Sequence, residues 1–147
     1  MIISANDSKS YRHITLANQL DVLLVSDKTT DKSSAALAVN VGHFDDPIKH
    51  QGLAHLLEHM MFLGTERFPD PSEYQEFIKG HGGHHNAWTG SEHTNFYLAI
   101  NNQHFEAGVE RFSDFFISPL LQGKWINKEI AIAKFLLKTS SLFALVS

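Results

Sequence analysis

Gly52-Leu53-Ala54-His55-Leu56-Leu57-Glu58-His59-Met60-Met61-Phe62-Leu63-Gly64-Thr65 is the most informative segment of this 147-residue chain. Its apolar residues recur at three- and four-residue spacing, which predicts a helix over about residues 50–63 that ends at Gly64. The leucines and methionines share one side of this helix. We therefore expect that side to anchor the helix in a hydrophobic core.

The polar residues His55, Glu58 and His59 fall on the other side of the same helix. At about 100° per residue, His59 lies roughly 40° from His55, and Glu58 lies roughly 60° away on the other flank. Two histidines at positions i and i+4 can bind one Zn²⁺, although a lone helical histidine is more often a surface residue. The adjacent carboxylate is placed to take a proton from a zinc-activated water. The segment therefore predicts His55 and His59 as zinc ligands and Glu58 as catalytic base, in the His-x-x-Glu-His order.

The composition indicates one ordinary soluble globular domain, with 43% hydrophobic and 19% charged residues. Twelve basic against sixteen acidic residues, with no basic run, argue against a nucleic-acid partner. No apolar run reaches the roughly 20 residues of a membrane span. No secretory signal is visible, so the chain as written is expected in the cytoplasm. The absence of cysteine excludes disulfides and thiolate ligands.

The order of the predicted elements favours an α+β domain, with one mixed, largely antiparallel sheet and helices packed on one face. Asn18 is expected in the first turn, and the Gly- and His-rich segment 81–85 is expected to be a loop. The predicted strands cover residues 11–16, 20–25, 34–41, 86–89 and 94–100. The predicted helices cover residues 50–63, a short segment after Ser72, residues 103–118 and a segment that begins near Lys124.

Three segments, 52–65, 74–80 and 82–97, resemble the N-terminal catalytic domain of the pitrilysin/insulysin (insulinase) family of zinc metallopeptidases. The resemblance runs over about residues 11–130 of a single, partial peptidase domain spanning 1–147. The tail 131–147 is atypical. The resemblance implies the fold described above and one Zn²⁺ per domain. It also implies that the second homologous half of the peptidase is missing from this sequence.

The family resemblance also implies a site for a peptide or small protein substrate. Asn86 and Ala87 would lie on an edge strand near the zinc, where the substrate backbone pairs as an added strand. An ordinary strand end is the alternative for these two residues. His81, His84 and His85 could suggest a second metal site, but a solvated loop is the favoured interpretation. Relatives of this type include periplasmic as well as cytosolic proteins.

A third protein ligand to the zinc is not evident in the sequence. The family places a ligand Glu on a later helix, seven residues after a supporting Glu. Glu129 matches the supporting residue, but Leu136 stands at the ligand position, and no acidic residue occurs after Ile130. Glu129 could substitute as a ligand, or the reading frame could be lost or truncated after Ile130. Either way, we expect weak zinc binding and little or no peptidase activity.

The favoured function is a zinc-dependent metalloendopeptidase domain in a weakly active or inactive form. S-ribosylhomocysteine lyase also has a small domain with a His-x-x-Glu-His helix, but its site needs a cysteine that this chain lacks. The non-catalytic alternative is a pseudo-peptidase domain that binds a partner or a peptide.

Overall fold

The structure is a computed structural model, and it describes residues 6–123. The chain divides into two compact units, one ending at Asp31 and the other beginning at Lys32. The predictions for Glu129, Leu136 and a helix from Lys124 lie outside the described residues.

The first unit is a β-hairpin. Strands β1 (Ser10–Thr15) and β2 (Asp21–Ser26) pair antiparallel. Gln19 adopts a positive φ of 67° in the connecting turn, and the side-chain oxygen of Asn18 accepts a hydrogen bond from the Leu20 amide at 3.2 Å. The predicted hairpin and the turn role of Asn18 are confirmed to within a residue.

The second unit contains a three-stranded antiparallel sheet. Its strands β3 (Lys32–Val39), β4 (His84–Thr89) and β5 (Thr94–Asn101) lie in the order β3-β5-β4. Alternate residues of the central strand, Phe96, Leu98 and Ile100, are almost fully buried. One face of this sheet therefore forms the floor of the core.

Within residues 6–123, three helices cover that face. Helices α1 (Leu53–Met61), α2 (Glu73–Gly80) and α3 (Phe105–Asp114) all contribute side chains to the cluster built on β5. This confirms the α+β class with helices on one face of a sheet. The strands occupy two antiparallel sheets where a single mixed sheet was expected, because β1 and β2 pair with each other while β3 pairs with β5. The helical contributors to the cluster are Met61, Tyr74, Ile78 and Phe112.

Two sequence predictions about local packing were wrong. Leu53 and Leu57 are nearly half exposed, at 46% and 47%, because α1 buries its methionines and Glu58 instead. His84 and His85 belong to β4 and not to a loop, since they pair in register with Ala99 and Leu98 of β5. Strand pairing with a distant segment outweighs the local glycine signal.

Candidate metal and catalytic site

The imidazoles of His55 and His59 meet on α1. Their Nε2 atoms lie 3.1 Å apart, and the ring centroids are separated by 4.7 Å. Two nitrogens bound at 2.0–2.1 Å to one tetrahedral zinc are about 3.3 Å apart. The two nitrogens therefore fit two positions around one zinc ion. Within residues 6–123, no three His, Asp or Glu side chains already converge as a metal site.

Glu58 is buried beside this pair, and its orientation is set from the sheet. Thr89, the last residue of β4, donates its hydroxyl to Oε2 of Glu58 at 2.7 Å. Thr94, the first residue of β5, donates its hydroxyl to the carbonyl of Val41 at 2.9 Å and lies 3.4 Å from the Thr89 hydroxyl. The Glu58–Thr89 contact joins residues 31 positions apart, so the sequence pattern did not reveal it.

An apolar cavity of about 320 Å³ borders Glu58. It lies between α1, the sheet and the segment that follows α3. A carboxylate at the margin of such a cavity is shielded from bulk water on one side, which strengthens its local electrostatic interactions. The apolar residues of the lining include Val39, Leu57, Phe96, Phe116 and Leu121.

Asp46 caps the N-terminus of α1 from the preceding loop. Its carboxylate oxygens accept hydrogen bonds from the amides of Gly52 at 2.7 Å and Ala54 at 2.8 Å, and its side chain is 2% exposed. Burial alone would raise the pKa of Asp46, but the Ala54 and Gly52 amides, together with the nearby His43, outweigh it and hold this pKa below its ordinary value. The helix end that precedes His55 is thus fixed by a buried charge.

His43 is a neighbour of the site that sequence reasoning missed. Its ring meets that of His55 edge to face, with centroids 6.2 Å apart. Burial lowers the pKa of His55, and the nearby His59 and His43 lower it further, against an opposing effect of Glu58. The His55 ring therefore favours the neutral form, which is the form that binds metal. The sequence of residues 42–47 does not indicate a role for His43, because His43 approaches His55 only when this segment is folded.

Asn86 and Ala87 lie on β4, as predicted, at one edge of the three-stranded sheet. In the described part of the chain β4 pairs with β5 alone, and its end reaches Glu58 through Thr89. Asn86 is exposed, while Ala87 packs against the core. A substrate role for the two residues stays a prediction.

The three histidines of segment 81–85 have separate surroundings. His81 donates from Nδ1 to the Phe77 carbonyl at 2.7 Å and stacks on His104 with centroids 3.9 Å apart. His85 packs into the core against Tyr74, and His84 is exposed on the other face of β4. The structure therefore does not bring them together.

Comparisons with known proteins identify the site's relatives. A profile described as "Insulinase (Peptidase family M16)" matches residues 21–140. The chain is 48% identical over 130 residues to an "Insulin-degrading enzyme homolog" of Dictyostelium discoideum, covering 88% of this chain and 14% of that protein. It is 41% identical over 124 residues to a "Putative zinc protease" of Schizosaccharomyces pombe, covering 84% of this chain and 13% of that protein.

The fold agrees with these sequence matches. The crystal structure of pitrilysin superposes with a TM-score of 0.87 at 40% identity, covering 93% of this chain and 15% of that one. The chain thus spans less than a sixth of the length of each of these proteins. No helix within residues 6–123 is long and apolar enough to cross a membrane.

Proposed function

Since the chain belongs to the insulinase family of metallopeptidases (peptidase family M16), we propose that α1 carries the zinc site of a metalloendopeptidase. His55 and His59 are the zinc ligands, and Glu58 is the general base. The observation that carries the proposal is the convergence of two Nε2 atoms at 3.1 Å beside a buried, oriented carboxylate. The similarity to a putative zinc protease supports zinc as the metal.

Bound zinc would supply a Lewis acid that lowers the pKa of a coordinated water towards about 7. Glu58 accepts the proton of the attacking water and carries it to the leaving amine. The Thr89 hydroxyl holds Oε2, which leaves Oε1 as the oxygen that exchanges protons. Glu58 is only 8% exposed, which limits the access of bulk water to that carboxylate.

The substrate is a peptide or a small protein. Among residues 6–123, β4 has no partner strand on its outer side, and this edge offers backbone groups with which an extended peptide can pair as an added strand. Asn86 and Ala87 occupy that edge, and Thr89 connects the same strand to Glu58. Backbone pairing at β4 would therefore bring a peptide bond alongside α1.

Peptidase activity of the 147-residue chain alone is expected to be weak or absent. Leu136 stands where the family resemblance places the third ligand, and Glu129 serves as a supporting residue or a substitute ligand. Leu136 also favours the alternative function, a pseudo-peptidase domain that binds a peptide or a partner without cleaving it. A cytoplasmic location is proposed for the chain as written.

The metal content of the full chain, purified without chelator, tests the zinc site. Wild-type protein should carry zinc or, because the site is expected to be weak, take up added Zn²⁺, and His55→Ala and His59→Ala should each abolish this binding. His13→Ala, on the hairpin of the other unit, is the matched control and should retain zinc. Metal-free wild-type protein that also fails to take up added Zn²⁺ would contradict the proposal. Stoichiometric zinc without cleavage of a broad peptide library would favour the pseudo-peptidase.

A further inference from the structure

Residues 42–46, here called the His43 loop, contain the short 3₁₀ helix His43–Asp45 and are fixed to the sheet beside the proposed zinc site. The amide of His43 donates to the Gly90 carbonyl at 2.9 Å, and the amide of Phe44 donates to the Ser91 carbonyl at 2.8 Å. Gly42 makes this approach possible, because a Cβ there would lie 2.5 Å from the Gly90 carbonyl oxygen. The position of the His43 backbone is therefore set by the turn between β4 and β5.

The other end of the His43 loop is fixed to α1. Both carboxylate oxygens of Asp46 bind amides of the first turn of that helix. Two anchors, one on the sheet and one on the helix, thus hold His43 next to His55. Because Asp46 is buried and its oxygens are engaged by these amides, it is a poor candidate for a metal ligand.

The His43 ring lies near the His55 ring, at a separation close to that of two imidazoles bound to one zinc ion. A bound imidazole has its centroid about 3.2 Å from zinc, so two rings on a tetrahedral ion are about 5.2 Å apart. The His55–His59 separation of 4.7 Å is close to that value, and the His43–His55 separation of 6.2 Å exceeds it by about 1 Å. Different staggered rotamers of a histidine move its ring by more than about 1 Å, so a change of rotamer can close a gap of this size.

The His43 side chain is partly exposed and has a charged neighbour. It is 45% exposed, and its Nδ1 lies 3.8 Å from Oδ2 of Asp46, which is within ion-pair distance. The charge of the buried Asp46 carboxylate favours an imidazole with its proton on Nδ1. That tautomer leaves Nε2 as the electron-pair donor to a metal.

We propose that His43 is the third protein ligand of the zinc in this chain, together with His55 and His59. This inference rests on the proposed zinc site. It supplies a ligand within the described residues where the family resemblance points to Leu136. With His43 bound, zinc is held by three imidazoles and keeps one position open, an arrangement typical of catalytic zinc. The affinity should then exceed that of two histidines alone.

The test is metal titration of the full chain, with His43→Ala compared with His50→Ala. His50 is an exposed histidine three residues before α1 and serves as the matched control. Zn²⁺ affinity is measured by competition with a chromophoric chelator, and Co²⁺ absorption reports the ligand set without any activity assay. Circular dichroism of the metal-free variants shows whether each is folded, and His43→Asn provides a second variant of similar polarity.

His43→Ala and His43→Asn should weaken zinc binding by at least about 100-fold, since loss of even an outer partner of a ligand costs about 10–100-fold. Both should also change the Co²⁺ spectrum, while His50→Ala should match the wild type. Wild-type affinity and spectrum in both His43 variants would overturn the His43 assignment while leaving His55 and His59 intact. A wild-type chain that binds neither metal would overturn this inference and the proposed zinc site together.

Discussion

Asp46 offers a direct test of how helix α1 is held in place. Asp46→Asn removes the charge and places an amide group against one of the two backbone donors of Gly52 and Ala54. A hydrogen bond to a charged group contributes about 1.5–3 kcal/mol, and a buried donor left unpaired costs about 1–3 kcal/mol. We therefore expect the free energy of unfolding to fall by about 2–4 kcal/mol. Asp70→Asn is the matched control, because Asp70 also accepts two hydrogen bonds near a helix start but is exposed.

Urea unfolding followed by far-ultraviolet circular dichroism measures both variants at neutral pH. Asp70→Asn should lose less than about 1 kcal/mol, since at this exposed turn the Asn side-chain oxygen can accept the same hydrogen bonds from Ser72. The pH dependence gives a second readout. The folded pKa of Asp46 lies below its unfolded value of 3.8. The wild type should therefore exceed Asp46→Asn in free energy of unfolding by the full amount at pH values well above 3.8. This difference in stability should shrink as the pH falls through the folded pKa. Equal losses in the two variants at neutral pH would refute the anchoring role of Asp46.

Two further predictions concern the sheet and its packing. Gly83→Ala should destabilise the protein by about 1–3 kcal/mol, because the added Cβ would lie 2.4 Å from the Ala99 carbonyl oxygen. Gly80→Ala is the control, because its Cβ would meet nothing within 4 Å, and its stability should be unchanged or higher. Comparable losses in thermal melts of both variants would contradict this. Burial lowers the pKa of His85 below 6.5, so the unfolded chain takes up the proton first and stability should fall as the pH drops below about that value. His85→Phe should reduce the pH dependence of the free energy of unfolding between about pH 7 and 5, whereas His84→Phe, on the exposed face, should not. An unchanged pH dependence in His85→Phe would exclude His85 as its source.

The sequence predicted the elements whose pattern is periodic and local. Helix α1 was visible from its apolar spacing, and the shared face of His55, Glu58 and His59 follows from helical geometry alone. The sequence did not show which part of the apolar side would be buried. Leu53 and Leu57 remain half exposed because the position of α1 on the sheet, and not its own pattern, selects the buried residues.

The parts of the site that were not predicted depend on contacts between distant segments. Thr89 reaches Glu58 only after β4 has paired with β5, and His43 reaches His55 only after its loop has bound the turn near Gly90. Neither contact leaves a spacing signal in the chain. His84 likewise lies in a strand and not in the predicted loop, because it pairs with Ala99 of β5. A family resemblance assigns roles only to matching residues, whereas the contact of His43 with His55 exists only in the folded structure.

The most direct test of the zinc site is the response of individual imidazole nitrogens to zinc. Long-range ¹H–¹⁵N correlation spectra of the full chain, recorded during addition of Zn²⁺, resolve the Nε2 atom of each histidine. We predict that the Nε2 signals of His55 and His59 shift together and saturate at one zinc per chain, while exposed His13 stays unchanged. Unshifted His55 and His59 signals at saturating zinc, or saturation at other histidines instead, would contradict the zinc site on α1.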